Sequence, residues 1–210
     1  MIKYEQLEGR PDEWSDAFKK AAPFPHLVID DLFDPDGLRN AVGAFPTIDE
    51  MAPKAGGTGG VFELSDRTLL PSPLIQVSDE LLGERFTSWL SSVVGEKLVT
   101  DPAGDWGALR QSVDGVEGKI HVPPLSHRTK PWQRRLTLIL TLTEAIDERN
   151  GGCFQMWDAE RVSPLASVAP LFNRAVVFLA TPEAFHNASR TSLGPGQTRK
   201  VMQALYFRAS

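Results

Sequence analysis

Apolar residues at Leu81, Leu82, Phe86, Trp89, Leu90 and Val94 recur at helical spacing, which predicts a helix over residues 78 to 95. A shorter helix is expected over residues 12 to 20, broken by Pro23-Phe24-Pro25-His26. His26-Leu27-Val28-Ile29-Asp30 reads as a buried strand. Asp34-Pro35-Asp36 then starts another helix, with Asp as N-cap and Pro in the first turn. Residues 52 to 60 hold four glycines and neither period, so a flexible loop is expected; no Lys-Ser or Lys-Thr follows to make it a phosphate loop. After Gly95 the pattern shortens. Leu109 to Ser112, Lys119 to Val122, Leu136 to Leu142, Cys153 to Trp157, Ala175 to Leu179 and Val201 to Phe207 all read as strands. Asn150-Gly151-Gly152 and Gly194-Pro195-Gly196 supply turns.

Helices first and short strands afterwards predict one α+β domain, mainly β. Residues 1–95 would form a helix-rich support and residues 96–210 a β core. A length of 210 residues with 41% apolar content suffices for such a core. The net charge of −5 offers no broad basic field for nucleic acid. The single cysteine, Cys153, excludes an internal disulfide and any multi-cysteine metal site, which suits a reducing cytoplasm. Cys153 has no basic neighbour in sequence and reads as inert. No stretch has the length and apolarity of a signal peptide or a membrane span. A cytoplasmic protein without membrane or nucleic-acid partners is expected; its oligomeric state stays open.

The four histidines are His26, His121, His127 and His186. His26, at the start of a strand, reads as structural. His121 stands two residues before Pro123, His186 lies far downstream, and Arg199 comes thirteen residues after it. Around these, the early Pro23-to-Asp31 segment, Arg134-Arg135-Leu136-Thr137-Leu138, Trp157-Asp158, Ala169-to-Arg174, Phe185-His186 and Arg199 with Tyr206-Phe207 occur in one order. In these segments the chain resembles the iron(II)- and 2-oxoglutarate-dependent dioxygenases, in particular the prolyl-4-hydroxylase-like branch. The resemblance spans about nine tenths of the chain.

That resemblance implies a double-stranded β-helix, or jelly roll, flanked by N-terminal helices. It implies His121 and His186 as ligands of Fe(II) and Arg199 as the anchor of the 2-oxoglutarate carboxylate, with Thr137 as an inward-facing helper. Two neutral imidazoles and one carboxylate suit iron(II) and leave three positions open. A bidentate Arg suits a carboxylate better than Lys does. The register of Arg199 is in question, because strand alternation beside Lys200 could send it outward. The family's carboxylate ligand falls at position 123, where Pro offers no ligand atom.

Pro123 admits three readings. The vacancy could be filled by water or an anion such as chloride, as in halogenating relatives. A nearby side chain could substitute, and His127 is the candidate for a three-histidine site that needs no keto acid. Or metal binding could be lost, leaving a silent jelly-roll protein with a binding or assembly role. The expected activity is oxidation of an unactivated C–H bond, by hydroxylation or halogenation, of a small-molecule or peptide substrate. Trp106, Trp132 and Trp157 read as packing residues. Arg128, Lys130, Arg134 and Arg135 read first as a solvated loop leading into a strand; lying near the expected barrel mouth, they would alternatively suit a carboxylate-bearing substrate.

Overall fold

A computed structural model describes residues 1–56 and 59–209. Five α-helices lie among the described residues: α1 (Tyr4–Glu8), α2 (Pro11–Lys20), α3 (Pro35–Gly43), α4 (Ser72–Leu82) and α5 (Glu84–Val94). Ten strands accompany them. They are β1 (His26–Ile29), β2 (Ala52–Pro53), β3 (Val61–Leu64), β4 (Gly107–Ser112), β5 (Gln133–Thr141), β6 (Phe154–Trp157), β7 (Pro164–Val168), β8 (Ala175–Leu179), β9 (His186–Ala188) and β10 (Arg199–Arg208). A seven-stranded sheet runs β1-β8-β5-β10-β4-β3-β2, and a three-stranded sheet runs β7-β6-β9, with every pairing antiparallel. The two sheets form the jelly roll, with the helices on the outer face of the larger one.

Period-two alternation assigns each strand residue to one of two cores. Leu136, Leu138 and Leu140 of β5, Val177 of β8, and Met202, Ala204 and Tyr206 of β10 face the helices and join the large cluster with Leu74, Leu81, Phe86 and Leu90. The alternate residues Val176 and Phe178 face inward and pack with Phe24, Phe154 and Met156 between the sheets. The Tyr206 hydroxyl donates to Leu81 O at 2.8 Å, tying the central strand to α4. Asn173, in the left-handed region at φ 64°, donates to Phe33 O at 2.7 Å and accepts from Phe33 N at 2.9 Å. The turn before β8 is thereby pinned to the N-terminal region.

The helix expected over 78–95 is two helices. Gly83, at ψ 160°, interrupts it. Its carbonyl accepts from Thr87 N at 3.0 Å and so starts α5, while a side chain at this position would meet Asp79 O at 2.7 Å. The apolar period runs across the break because both helices bury faces in the same cluster. α5 then ends at Gly95 in the left-handed conformation. The N-terminal support is not purely helical, since β1, β2 and β3 belong to the larger sheet. Part of the loop expected at 52–60 is β2, and residues 57 and 58 lie outside the described residues.

Candidate metal and anion site

The expected strand from Lys119 to Val122 does not form. His121 makes only an isolated bridge to His186, with backbone hydrogen bonds of 3.0 and 2.9 Å in the two directions. The segment is held to β9 at two more points. Gly118 N donates to Ala188 O at 2.9 Å, and Asn187 Nδ2 donates to Gly118 O at 3.1 Å. Asn187 is fixed in turn by Trp157 Nε1, which donates to its Oδ1 at 2.8 Å. Pro-Pro at 123–124 removes two ladder donors and explains the missing strand. The expected strand is thus replaced by a single bridge, and Pro123 is buried and not part of the cavity wall. Sequence reading also missed Asn187; its position beside His186 was the available signal.

The bridge brings the two histidine rings to a centroid separation of 4.4 Å. In each, Nδ1 lies 2.9 Å from a backbone oxygen, of Lys119 for His121 and of Ala184 for His186. A carbonyl can only accept, so Nδ1 carries the proton in both rings, and in the neutral ring Nε2 keeps its lone pair. His186 is buried among Phe154 and Phe178. That burial, with His121 and Arg110 nearby, pushes its pKa down to about 3. His121 is open to solvent on one side, but desolvation of the remainder lowers its pKa too, with Lys54 and Arg110 adding to the effect. Both rings are held neutral, the form that binds a metal.

The pair borders a cavity of about 410 Å³ that reaches Arg199, Arg110, Lys54 and Gln203. Alternation along β10 turns Arg199 inward, while its neighbour Lys200 lies 5.1 Å from the Phe45 ring on the opposite face. The question of register is thus answered in favour of Arg199. Only 9% of Arg199 is exposed, and its Nε has no hydrogen-bond partner. Desolvation lowers its pKa to about 10, so it remains a cation, and it has no carboxylate partner among the described residues. Gly152 makes room for it, since a Cβ there would stand 2.7 Å from Arg199 Cδ.

Other expectations do not converge on this cavity. Thr137 faces inward, but its partner on β10 is Leu205, six residues from Arg199 and so roughly 20 Å along the strand. Its buried hydroxyl has no partner and is not part of the cavity wall. His127 is also elsewhere. Its Nε2 donates to Asp101 Oδ2 at 2.9 Å, and its Nδ1 accepts from Thr129 N and Lys130 N at 3.1 and 3.0 Å. No ring nitrogen is left for a metal, and no cluster of three metal-ligating side chains exists among the described residues. Arg128, Lys130, Arg134 and Arg135 are paired with Asp105, Asp101, Asp105 and Glu96, away from the histidine pair. His26 is structural, with Nδ1 2.9 Å from Phe24 O. Trp106 is buried and donates to Ser65 O, Trp132 packs on His127, and Trp157 serves Asn187.

The jelly roll thus holds a cavity bordered by two neutral imidazoles and a buried arginine. Residues 108–208 match the family model described as the 2OG-Fe(II) oxygenase superfamily. Its fold is similar to that of a Pseudomonas putida prolyl-4-hydroxylase, with TM-score 0.65, 16% identity, and coverage of 94% of this chain and 99% of that one. A prolyl hydroxylase from Trichoplax adhaerens, solved with a hypoxia-inducible-factor peptide fragment, gives TM-score 0.62 at 12% identity, covering 98% and 93%. HygX from Streptomyces hygroscopicus, solved with nickel and 2-oxoglutarate, gives 0.59 at 12%, covering 99% and 87%. No curated protein matches the chain. No helix of the described residues is long and apolar enough to cross a membrane.

Proposed function

We propose that the chain is an iron(II)- and 2-oxoglutarate-dependent oxidoreductase that hydroxylates an unactivated C–H bond. The reading rests chiefly on one observation: His121 and His186 each commit Nδ1 to a carbonyl and point no proton from Nε2. Those two Nε2 atoms would hold iron(II). Arg199, buried and without a carboxylate partner among the described residues, would take the far carboxylate of the keto acid as a charge-assisted pair. When bound, iron(II) and the keto acid would supply oxidising chemistry with dioxygen, one oxygen atom going to the C–H bond and the other to succinate as carbon dioxide is lost.

The chain's own groups have separate tasks in this scheme. The carbonyls of Lys119 and Ala184 fix the two tautomers. The bridge between His121 and His186, with Asn187 on Gly118, sets the distance between the rings. Phe154 and Phe178 keep water from the buried face of His186. The donor set fits the metal with two protein ligands instead of three, because no Asp or Glu lines the cavity among the described residues. Weaker iron binding is the expected consequence.

The test is release of succinate from 2-oxoglutarate by purified protein with iron(II) and oxygen, without added substrate. Slow iron-dependent succinate formation that disappears in His186→Ala supports the reading. No succinate above an iron-only control would make the chain a silent jelly roll with a binding role.

A further inference from the structure

The cavity carries more positive charge than the proposed chemistry uses. Its walls include Lys54, Arg110, Lys119 and Arg199, with no carboxylate among the described residues. Arg110 is balanced by Glu63, which accepts from its Nε at 2.7 Å, but its terminal nitrogens make no hydrogen bond among the described residues. Lys54 forms no salt bridge among the described residues, and the carboxylate that acts on it electrostatically is Glu63, already bonded to Arg110. On the oxygenase reading, on which this inference rests, a divalent iron on two neutral imidazoles, a doubly charged keto acid and Arg199 leave one net positive charge. Lys54 raises the excess to two, and Lys119 adds a further charge at the rim. Like charges around a concave, weakly solvated space repel one another and concentrate anions from solution.

Sheet register separates this surplus from the keto-acid anchor. On β4, Ser112 lies opposite Arg199 and Arg110 lies opposite Val201. The Arg110 and Arg199 backbones are therefore roughly 8 Å apart, one strand across and two residues along. That spacing serves two anionic groups better than one. The volume of about 410 Å³ leaves room beyond a five-carbon acid.

We infer that the cavity has a second anion subsite, formed by Lys54 and the terminal nitrogens of Arg110 with Lys119 at its rim, and that the substrate is a small acid bearing a carboxylate or phosphate. Its anionic group docks there while the keto acid occupies Arg199. The subsite is a specificity device: the anionic group it holds offsets the surplus positive charge of the cavity.

Inorganic phosphate is a suitable probe, titrated into the metal-free full chain by calorimetry and followed by phosphorus NMR line width. Two bound phosphates per chain are expected, and Arg199→Met should retain one. In the Arg199→Met background, Lys54→Met should weaken the remaining site about tenfold or more, as loss of a charge-assisted bond does, and Lys54→Arg should restore it. Lys54 is only half-buried, so these variants leave the core intact. Abolition of all phosphate binding by Arg199→Met would overturn the inference, as would a Lys54→Met affinity within twofold of its parent. Replacing phosphate by succinate separates the two acid types: tighter succinate binding assigns a carboxylate, tighter phosphate a phosphate ester. The readout needs no iron. Failure of succinate release with the phosphate site intact would sink the oxygenase reading and keep the subsite.

Discussion

Two regions of this molecule hold histidine, arginine and lysine side by side, and they differ in how those groups are satisfied. Around His127, both ring nitrogens are bonded and each neighbouring cation has a carboxylate: Lys130 on Asp101 at 2.8 Å, Arg128 on Asp105 at 3.2 Å, and Arg134 on Asp105 at 3.9 Å. Around His121 and His186, one nitrogen of each ring is bonded, the other is not, and Arg199 has no carboxylate partner. Burial does not separate the regions, since His127 and His186 are both 6% exposed. Saturation does. A native fold tolerates buried groups with unused bonding capacity at few places, and such places are where a ligand completes the set.

The largest expected effect comes from that contrast. His186→Ala should lower iron(II) affinity more than about 100-fold, because it removes a ligand that the site can least spare. His127→Ala should leave iron affinity within twofold but cost about 3–5 kcal/mol in urea unfolding, since Asp101 loses a buried partner. Loss of iron binding in His127→Ala would break the comparison.

Arg199→Met divides function from stability at one position. The keto-acid Kd measured by calorimetry should rise about 100-fold, the value of a charge-assisted pair. The protein itself should melt higher, by about 1–4 kcal/mol of added stability, because an unpaired buried cation is replaced by an apolar chain of similar shape. A lower melting temperature would mean that Arg199 has a structural partner.

The regions should also separate along the pH axis. The folded pKa of His186, about 3, lies below the ordinary 6.5 because of burial first and then His121 and Arg110. An unfolded chain binds a proton as pH falls through 6.5 and the folded one does not, so stability is full above that pH and is lost progressively toward 3. Burial raises the Asp101 pKa, but its bonds to Lys130 and His127 outweigh that and hold it below 3.8. Its contribution is present above 3.8 and is lost only below. Urea midpoints of the metal-free protein should fall from about pH 6.5 downward, and His186→Asn should flatten that decline. A variant with an unchanged slope would remove His186 as its source.

A smaller effect is expected at Gly152. An added methyl would meet Arg199 Cδ at 2.7 Å and sit on a backbone at φ 67°. Gly152→Ala should cost about 1–2 kcal/mol and weaken keto-acid binding several-fold by displacing the guanidinium. Unfolding and calorimetry together check it.

Much of this was legible in the chain. Strong alternation in β5, β8 and β10 revealed the central strands, because each buries two different faces. β2, β3, β7 and β9 were not seen; they have two to five residues, too few for a period to register. His121, His186 and Arg199 were found as candidates through their flanking motifs, and the cavity joins all three. Thr137 was misjudged because facing inward does not fix depth along a strand. The basic residues at 128–135 lie in a loop leading into β5, as first read, but their acidic partners, Asp101, Asp105 and Glu96, could not be seen because they are about 30 residues earlier in sequence. Lys54 and Arg110 went unnoticed, since only the pairing of β3, β4 and β10 brings those parts of the chain to the same cavity.

The central claim is that the unsatisfied region, and not the satisfied one, receives iron and the keto acid. Anaerobic titration of 2-oxoglutarate into the iron(II)-loaded protein, followed by visible absorption, tests it most directly. The account predicts a weak charge-transfer band that saturates at one keto acid per chain, persists in His127→Ala and vanishes in both His186→Ala and Arg199→Met. A band that survives His186→Ala, or the absence of any band in the parent protein at saturating iron, would contradict it.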